Sequence, residues 1–230
     1  MDVLVIDVGG TSVKFWHTAH EEQRKCASGK SMTPENMIEA AKDLTRDWQW
    51  EAIALGLPCR ISSGRPVEDP QNLGAGWVAF NFASAFGSPV RIMNDASLQA
   101  LGSYDGGRML FLGLGTAVGS AYIMDHVVLA LDLGRLLFGK EELAHLLGDA
   151  GLEELGFKKW QAVVHDVVPA IQKAMMADYV VLGGGSVKRL DELPPGARRG
   201  HNRTVVEGGR MLWEELPDPT EKYSGAWVVR

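Results

Sequence analysis

The first apolar run of the chain, Val3-Leu4-Val5-Ile6, does not alternate with polar residues. That pattern suits a strand buried on both faces. A turn follows at Asp7–Thr11, and Ser12-Val13-Lys14-Phe15-Trp16-His17 reads as a second strand. Two strands joined through a Gly-Gly turn predict a hairpin. Residues 23–28 are expected to add a third strand. Thr33-Pro34-Glu35 then marks a helix start, with a capping hydroxyl and proline in the first turn. Met37, Ile38, Ala41, Leu44 and Trp48 recur behind it at helical spacing. Glu51–Leu57 reads as another strand, stopped by Pro58. Residues 60–79, rich in Gly, Pro, Asn and Asp, predict loops or short hairpins. Val90–Met93 is a short buried strand, and Asn94-Asp95 caps a helix to about Tyr104 with Leu98 and Leu101 inward.

Asp105-Gly106-Gly107 looks like a joint, dividing the chain into lobes 1–106 and 107–230. The second half begins as the first does. Met109–Leu112 is an apolar strand, Gly113–Gly115 a glycine turn followed by Thr116, and Val118–Met124 a second strand. Such an echo predicts two half-domains facing each other across a cleft. Lys158–Met175 is the clearest helix, with Trp160, Val163, Val164, Val167, Val168, Ile171 and Met175 on one stripe. Pro169 is expected to bend it by removing one backbone bond. Tyr179–Leu182 is a buried strand ending in Gly183-Gly184-Gly185. A basic loop, a short helix over about Val206–Leu216 and a loosely held tail after Pro217 complete the expectation.

Composition removes several function classes. The 230 residues are 46% hydrophobic and 23% charged, as in an ordinary globular protein. The formal net charge of -6 argues against a nucleic-acid binder, which usually presents a basic face. No apolar run of ~18 residues suggests a membrane span, and the N-terminus lacks the basic start and cleavage site of a signal peptide. Cys26 and Cys59 lack CxxC spacing and read as inert thiols of a cytoplasmic protein.

Four elements are candidates for chemistry. Gly9 and Gly10 let backbone approach a phosphate, and Thr11 adds a hydroxyl. Asp7, at the end of a buried strand, cannot bind phosphate itself and would hold Mg²⁺ or its waters. A plain hairpin turn explains the same residues. Gly113–Ser120 has the same ingredients. A dinucleotide fingerprint needs a helix after its glycines, whereas Ala121-Tyr122-Ile123-Met124 continues as strand. Asp95 at a helix N-terminus stays ionised and can serve as a base, or can be a plain cap. Gly183–Gly185 leaves room for a flat ring or a phosphate, or makes a strand-to-helix turn.

The order of these elements resembles that of the ROK family of sugar kinases and repressors, within the sugar kinase/actin/heat-shock-70 superfamily. The likeness is strongest to its polyphosphate glucokinase branch. The matching stretches are Asp7-Val8-Gly9-Gly10-Thr11, Asn72-Leu73-Gly74 with Trp77, Asn94-Asp95-Ala96, Gly115–Ser120 and Val180–Gly185. They span almost the whole chain. The resemblance implies an α/β, actin-like ATPase (ribonuclease H-like) fold with two lobes and a central cleft. It implies phosphoryl transfer from ATP or polyphosphate to a hexose hydroxyl, glucose O6 in the first place, with Asp95 as base. Asn94, Asn72 and Pro58 would line the sugar site. Gly10, Thr11, Lys14, Gly115 and Thr116 would surround the donor phosphates, with Asp7 near Mg²⁺. Gly183, Gly184 and Gly185 match its adenosine motif, and a homodimer follows by the same analogy.

The chain departs from the family in places. Where the family carries Glu-x-Gly-His, both polar residues contacting sugar, this chain has Asp132-Leu133-Gly134-Arg135. The change is expected to alter the sugar preference, favour an acidic sugar, or mark a decayed pocket. Ala117 replaces a common glycine, at a cost of about 1 kcal/mol if the position needs positive φ. The family's Cys-rich zinc motif and the repressors' N-terminal helix-turn-helix are absent, so neither structural zinc nor DNA binding is expected. Arg198, Arg199, His201 and Arg203, with Lys188 and Arg189, offer a polyphosphate track or a solvated surface loop.

Overall fold

A computed structural model describes residues 1–125, 127–201, 203–214 and the backbone of 228–229. The first sheet begins with β1 (Val3–Val8), buried along its whole length as its unbroken apolar run requires. It pairs antiparallel with β2 (Ser12–His17), and β2 with β3 (Gln23–Ala27). α1 (Pro34–Leu44) starts where expected, with the Thr33 hydroxyl accepting from the Asn36 N–H at 3.3 Å. It ends at Leu44, so Trp48 is buried beyond the helix rather than on it. β4 (Ala52–Leu57) pairs parallel with β1. The two-residue strands β5 (Ile61–Ser62) and β6 (Arg65–Pro66) form the expected short hairpin. After α2 (Phe82–Phe86), β7 (Val90–Asn94) pairs parallel with β4, giving the order β3-β2-β1-β4-β7.

α3 (Asp95–Leu101) leaves β7 directly and stops three residues short of the predicted end. The second sheet follows, with β8 (Met109–Leu114), β9 (Val118–Met124) and β10 (Val127–Leu131). The small hairpin β11 (Leu137–Phe138) and β12 (Glu141–Glu142) leads into α4 (Leu143–Leu147), α5 (Asp149–Leu155) and α6 (Phe157–Ala174). Pro169 is carried inside α6 without ending it. β13 (Tyr179–Gly183), β14 (Ala197–Arg199), α7 (Thr204–Met211) and β15 (Val228–Val229) complete the chain. The sheet order is β14-β13-β8-β9-β10-β15. The predicted helix end at Leu216 lies outside the described residues. Val228–Val229 pairs with β10 where a loose tail was expected.

The echo in the sequence is an echo in topology. In each sheet a central strand has an antiparallel neighbour continuing into a meander and a parallel neighbour continuing into a second parallel strand. The two sheets enclose α3 and α7. Val3, Val5 and Met93 from one sheet and Met109, Phe111 and Ile123 from the other share a core with Leu98, Leu101, Val205 and Leu212. α1 covers the outer face of the first sheet and α4–α6 that of the second, with Met37 and Trp160 fully buried in the outer cores. The layers are therefore α/β/α/β/α.

Glycines bring the two central helices together. A Cβ on Gly102 would stand 1.8 Å from the Thr204 carbonyl oxygen, and one on Gly208 2.0 Å from the Leu98 oxygen. This contact lies at the C-terminal end of α3. It also ties α7, which follows the second sheet, to α3 and β1 of the first. At the joint, Gly106 and Gly107 adopt φ of 78° and 67°, a region that suits glycine. Among the described residues, no helix is long and apolar enough to cross a membrane.

Candidate active site

Asp7 is the penultimate residue of β1, so the strand ladder fixes its neighbours. It lies opposite Lys14 on β2, and their side chains approach to 3.7 Å. Asp7 is only 6% exposed. Burial pushes its carboxyl above the ordinary range, and the Lys14 ammonium pulls the other way. Beyond it the Gly9 N–H donates to the Ser12 carbonyl at 3.0 Å, closing the turn. A Cβ on Gly10 would meet the Asn72 Cβ at 3.2 Å, so Gly10 and Asn72 stand face to face. Thr11 is exposed at the turn.

Asp95 enters from the end of β7, with β4 between that strand and β1. Asn94 caps α3, its side-chain oxygen accepting from the Ala96 and Ser97 N–H groups at 3.1 and 3.2 Å. Its amide donates to the carbonyl of Cys59, next to Pro58, at 3.3 Å. Gly56 makes room for the helix start, since a Cβ there would stand 3.3 Å from the Asp95 Cα. Asp95 is half-buried. Burial first, and the negative charge of Asp7 second, push its carboxyl up to about 7. The Ala96 N–H, donating to it at 2.9 Å, opposes the shift. Asp95 therefore does not simply stay ionised as its helix-start position predicts, because burial outweighs the helix start; its carboxylate can accept a proton near neutral pH.

The second loop reaches the same helix. A Cβ on Gly119 would lie 2.8 Å from the Ala96 Cβ, so β9 passes directly beside the start of α3. Gly115 and Thr116 form the turn between β8 and β9. Ala117 is not among the residues with positive φ, so alanine carries no backbone strain there. Ser120 is buried; its hydroxyl donates to the Leu131 carbonyl and accepts from the Leu133 N–H, both at 3.0 Å. It thereby holds the turn that carries Asp132 and Arg135. Those two pair with each other at 3.2 Å and are both well exposed. Gly184 adopts φ of 87°, and a Cβ there would stand 2.2 Å from the Leu114 carbonyl oxygen. A Cβ on Gly183 would meet the Phe111 ring at 2.5 Å, whereas Gly185 faces open space. Close strand packing thus accounts for two of the three glycines.

No protein-family model matches the chain. The polyphosphate glucokinase of Mycobacterium tuberculosis (strain H37Rv) is 24% identical over 212 residues, covering 83% of this chain and 80% of that protein. Among solved structures, the inorganic polyphosphate/ATP-glucomannokinase of Arthrobacter sp. strain KM superposes with a TM-score of 0.75 at 20% identity, covering 90% of this chain and 96% of that one. The chain shares the fold of that sugar kinase. A ROK family glucokinase from Streptomyces griseus, in complex with glucose and AMPPNP, agrees with a TM-score of 0.71 at 14% identity, covering 92% and 99%. The actin-like ATPase architecture expected from the order of motifs is the one observed.

Most of the predicted residues lie on two sides, which touch where Gly119 passes Ala96 of α3. Asp7, Lys14, Gly10, Asn72, Asn94 and Asp95 belong to the first sheet side, and Gly115, Thr116, Gly119 and Gly183–Gly185 to the second. One residue went unread. Asp149, at the start of α5, accepts from the hydroxyls of Thr116 at 3.3 Å and Ser186 at 2.6 Å. Its only sequence signal is an acidic residue opening a helix. The basic loop is less free than its sequence suggests. Arg198 pairs with Asp105 at 3.3 Å and covers the Tyr179 ring, Arg199 donates to the Leu190 carbonyl at 2.9 Å, and Arg203 pairs with Glu21 at 3.1 Å. A hollow of about 640 Å³ outside α1, lined by Glu35, Ile38, Lys42 and Phe80, contains none of the predicted site residues.

A divalent cation fits the first group. Asp7 and Asp95 repel each other, and Lys14 supplies one positive charge against two carboxylates. Among the described residues no cluster of three or more His, Cys, Asp or Glu could hold a metal alone. Mg²⁺ commonly binds through one or two carboxylates, with water and phosphate oxygens completing its shell.

Proposed function

We propose that the protein is a sugar kinase that transfers a phosphoryl group from ATP or polyphosphate to a hexose hydroxyl, glucose O6 in the first place. The observation that carries this reading is the position of Asp95. A carboxyl pushed up to about 7 sits at a helix start, beside the Asp7–Lys14 pair and one residue from the contact with Gly119. The relatives' names, polyphosphate glucokinase and polyphosphate/ATP-glucomannokinase, supply the substrate classes.

In this reading Asp95 accepts the hydroxyl proton as the sugar oxygen attacks the terminal phosphorus. A new P–O bond forms and the bridging P–O bond breaks, leaving ADP or a shortened polyphosphate. Asn94, Asn72, Pro58, Asp132 and Arg135 orient the sugar. Gly9, Gly10, Thr11, Lys14, Gly115 and Thr116 surround the donor phosphates, and Gly183–Gly185 receives the nucleoside. Asp7 would hold Mg²⁺, directly or through water; when bound, that ion neutralises donor charge. Residues 1–106 and 107–230 act as two lobes, with α7 returning to the first. We place the protein in the cytoplasm, as a homodimer.

The mutual pairing of Asp132 and Arg135 favours a second reading: a kinase for a different sugar, or a sugar- and nucleotide-binding protein with impaired catalysis. A coupled assay across glucose, mannose, amino sugars and uronates, with ATP and polyphosphate side by side, separates these. Turnover of glucose supports the first reading. Turnover confined to another sugar, or ligand-induced thermal stabilisation without turnover, supports the second.

A further inference from the structure

Asp149 joins three segments that the sequence keeps apart. Its N–H donates to the Gly115 carbonyl at 2.9 Å. Its two carboxylate oxygens accept from Thr116 in the β8–β9 turn and from Ser186 after β13. An ionised carboxylate only accepts, so both hydroxyl hydrogens point at Asp149 and both rotors are fixed. The Ser186 bond, at 2.6 Å, has the length of a charge-assisted one, and Ser186 is only 5% exposed. Thr116 is exposed and held at the longer distance of 3.3 Å. Ser186 is therefore the anchored end and Thr116 the presented one. Gly148 permits the approach: a Cβ there would stand 2.9 Å from the Gly115 carbonyl oxygen.

β8 and β13 are parallel neighbours up to Gly113 and Gly183, and Gly184 still packs against the Leu114 backbone where the two loops begin. We propose that Asp149 is a positioning residue that clamps the Thr116 turn to the Gly183–Ser186 loop and so fixes the spacing a nucleoside triphosphate must span. This rests on the kinase reading, which assigns one loop to phosphates and the other to the nucleoside. Fixing both loops before binding removes an ordering cost from nucleotide association.

The test is ATP binding by calorimetry, together with steady-state kinetics, on the full chain and on Asp149→Ala, Asp149→Asn, Ser186→Ala and the Asp149→Ala/Ser186→Ala double variant. Asp149→Ala is expected to weaken ATP about tenfold. KM for the sugar should stay within about twofold, because no sugar-side residue touches Asp149. Asp149→Asn keeps one carbonyl acceptor and should lose about threefold, and it serves if the alanine variant fails to fold. In the double variant the loss should not exceed that of Asp149→Ala. Unchanged ATP affinity in folded Asp149→Asn and Asp149→Ala overturns the clamp and leaves the kinase reading standing. So does a parallel loss of ATP and sugar affinity, which marks general damage. A parent protein that binds ATP but phosphorylates no hexose overturns the kinase reading, while the binding series still judges the clamp. A parent that binds no ATP overturns the clamp.

Discussion

The two sheets share a backbone plan and differ in the row of residues beneath their loops. In the first sheet that row runs Lys14, Asp7, Gly56 across β2, β1 and β4. In the second it runs Gly119, Gly113, Gly183 across β9, β8 and β13. The penultimate position of the central strand is thus an aspartate in one half and a glycine in the other. The first row supplies charge, and the second supplies room: Gly119 admits Ala96 and Gly183 admits the Phe111 ring. A fold can repeat its loops without repeating its chemistry, because one ladder position decides whether a loop is electrostatic or merely close.

Asp95 lies between the rows, and replacing it should give the largest effect. Asp95→Asn is expected to lower kcat about 10²–10⁴-fold in a coupled assay. The parent kcat/KM should fall below a midpoint near pH 7, where Asp95 gains its proton. Stability should move the other way. A carboxyl whose folded pKa is raised binds its proton more tightly when folded, so ionisation erodes stability from the unfolded value near 3.8 up to about 7. Asp95→Asn removes that cost. Its melting temperature should exceed the parent's at pH 8, by roughly 1–3 kcal/mol equivalent after allowance for its partial exposure. The gap should close at pH 4. An active Asp95→Asn protein would remove the base from between the rows.

The next effect tests what joins the halves. Gly208→Ala places a Cβ 2.0 Å from the Leu98 carbonyl, against backbone that cannot swing away. The expected loss is about 3 kcal/mol or more by denaturant titration. A loss below about 1 kcal/mol would show that α3 and α7 slide freely.

A smaller effect separates the rows directly. Lys14→Met leaves Asp7 buried without its cation and should cost about 1–2 kcal/mol, less than a fully buried pair because Lys14 is partly exposed. Removing Lys14 raises the Asp7 carboxyl further, so the cost is greatest at high pH and vanishes where Asp7 is protonated in both proteins. Melting curves at pH 5 and pH 8 check the sign. Equal losses at both would show that Lys14 acts through packing.

Much of this was legible in the chain. Buried strands such as β1 and β4 announce themselves as unbroken apolar runs, and α1 by Thr33 and Pro34. The motif order pointed to the ROK fold because glycine turns after apolar strands survive in sequence as local patterns. β10 and α4–α5 were not read, since Val127–Leu131 and residues 143–155 are short apolar stretches whose period does not separate strand from helix. Gly208 and Gly102 look like ordinary glycines until the helices cross. Asp149 was invisible for the same reason: its partners lie 33 and 37 residues away. Ala117 was expected to carry strain only by comparison with a glycine, and its own φ is ordinary.

The smallest effect on stability falls at Asp132 and Arg135, and it decides how far the second row's room extends toward the sugar. The pair is 74% and 69% exposed, so its ion pair is screened and contributes about 0–1 kcal/mol. Arg135→Ala should therefore leave the melting temperature within about 2 °C of the parent. Ser120 nonetheless anchors this turn to β9, so the pair's position is fixed by the same strand that carries Gly119 past Ala96. If Arg135 orients the acceptor, its loss should raise the sugar KM about tenfold with donor KM unchanged. If instead the pair is only a surface ion pair, both constants stay put, and the proposed sugar recognition falls to Asn72, Asn94 and Pro58.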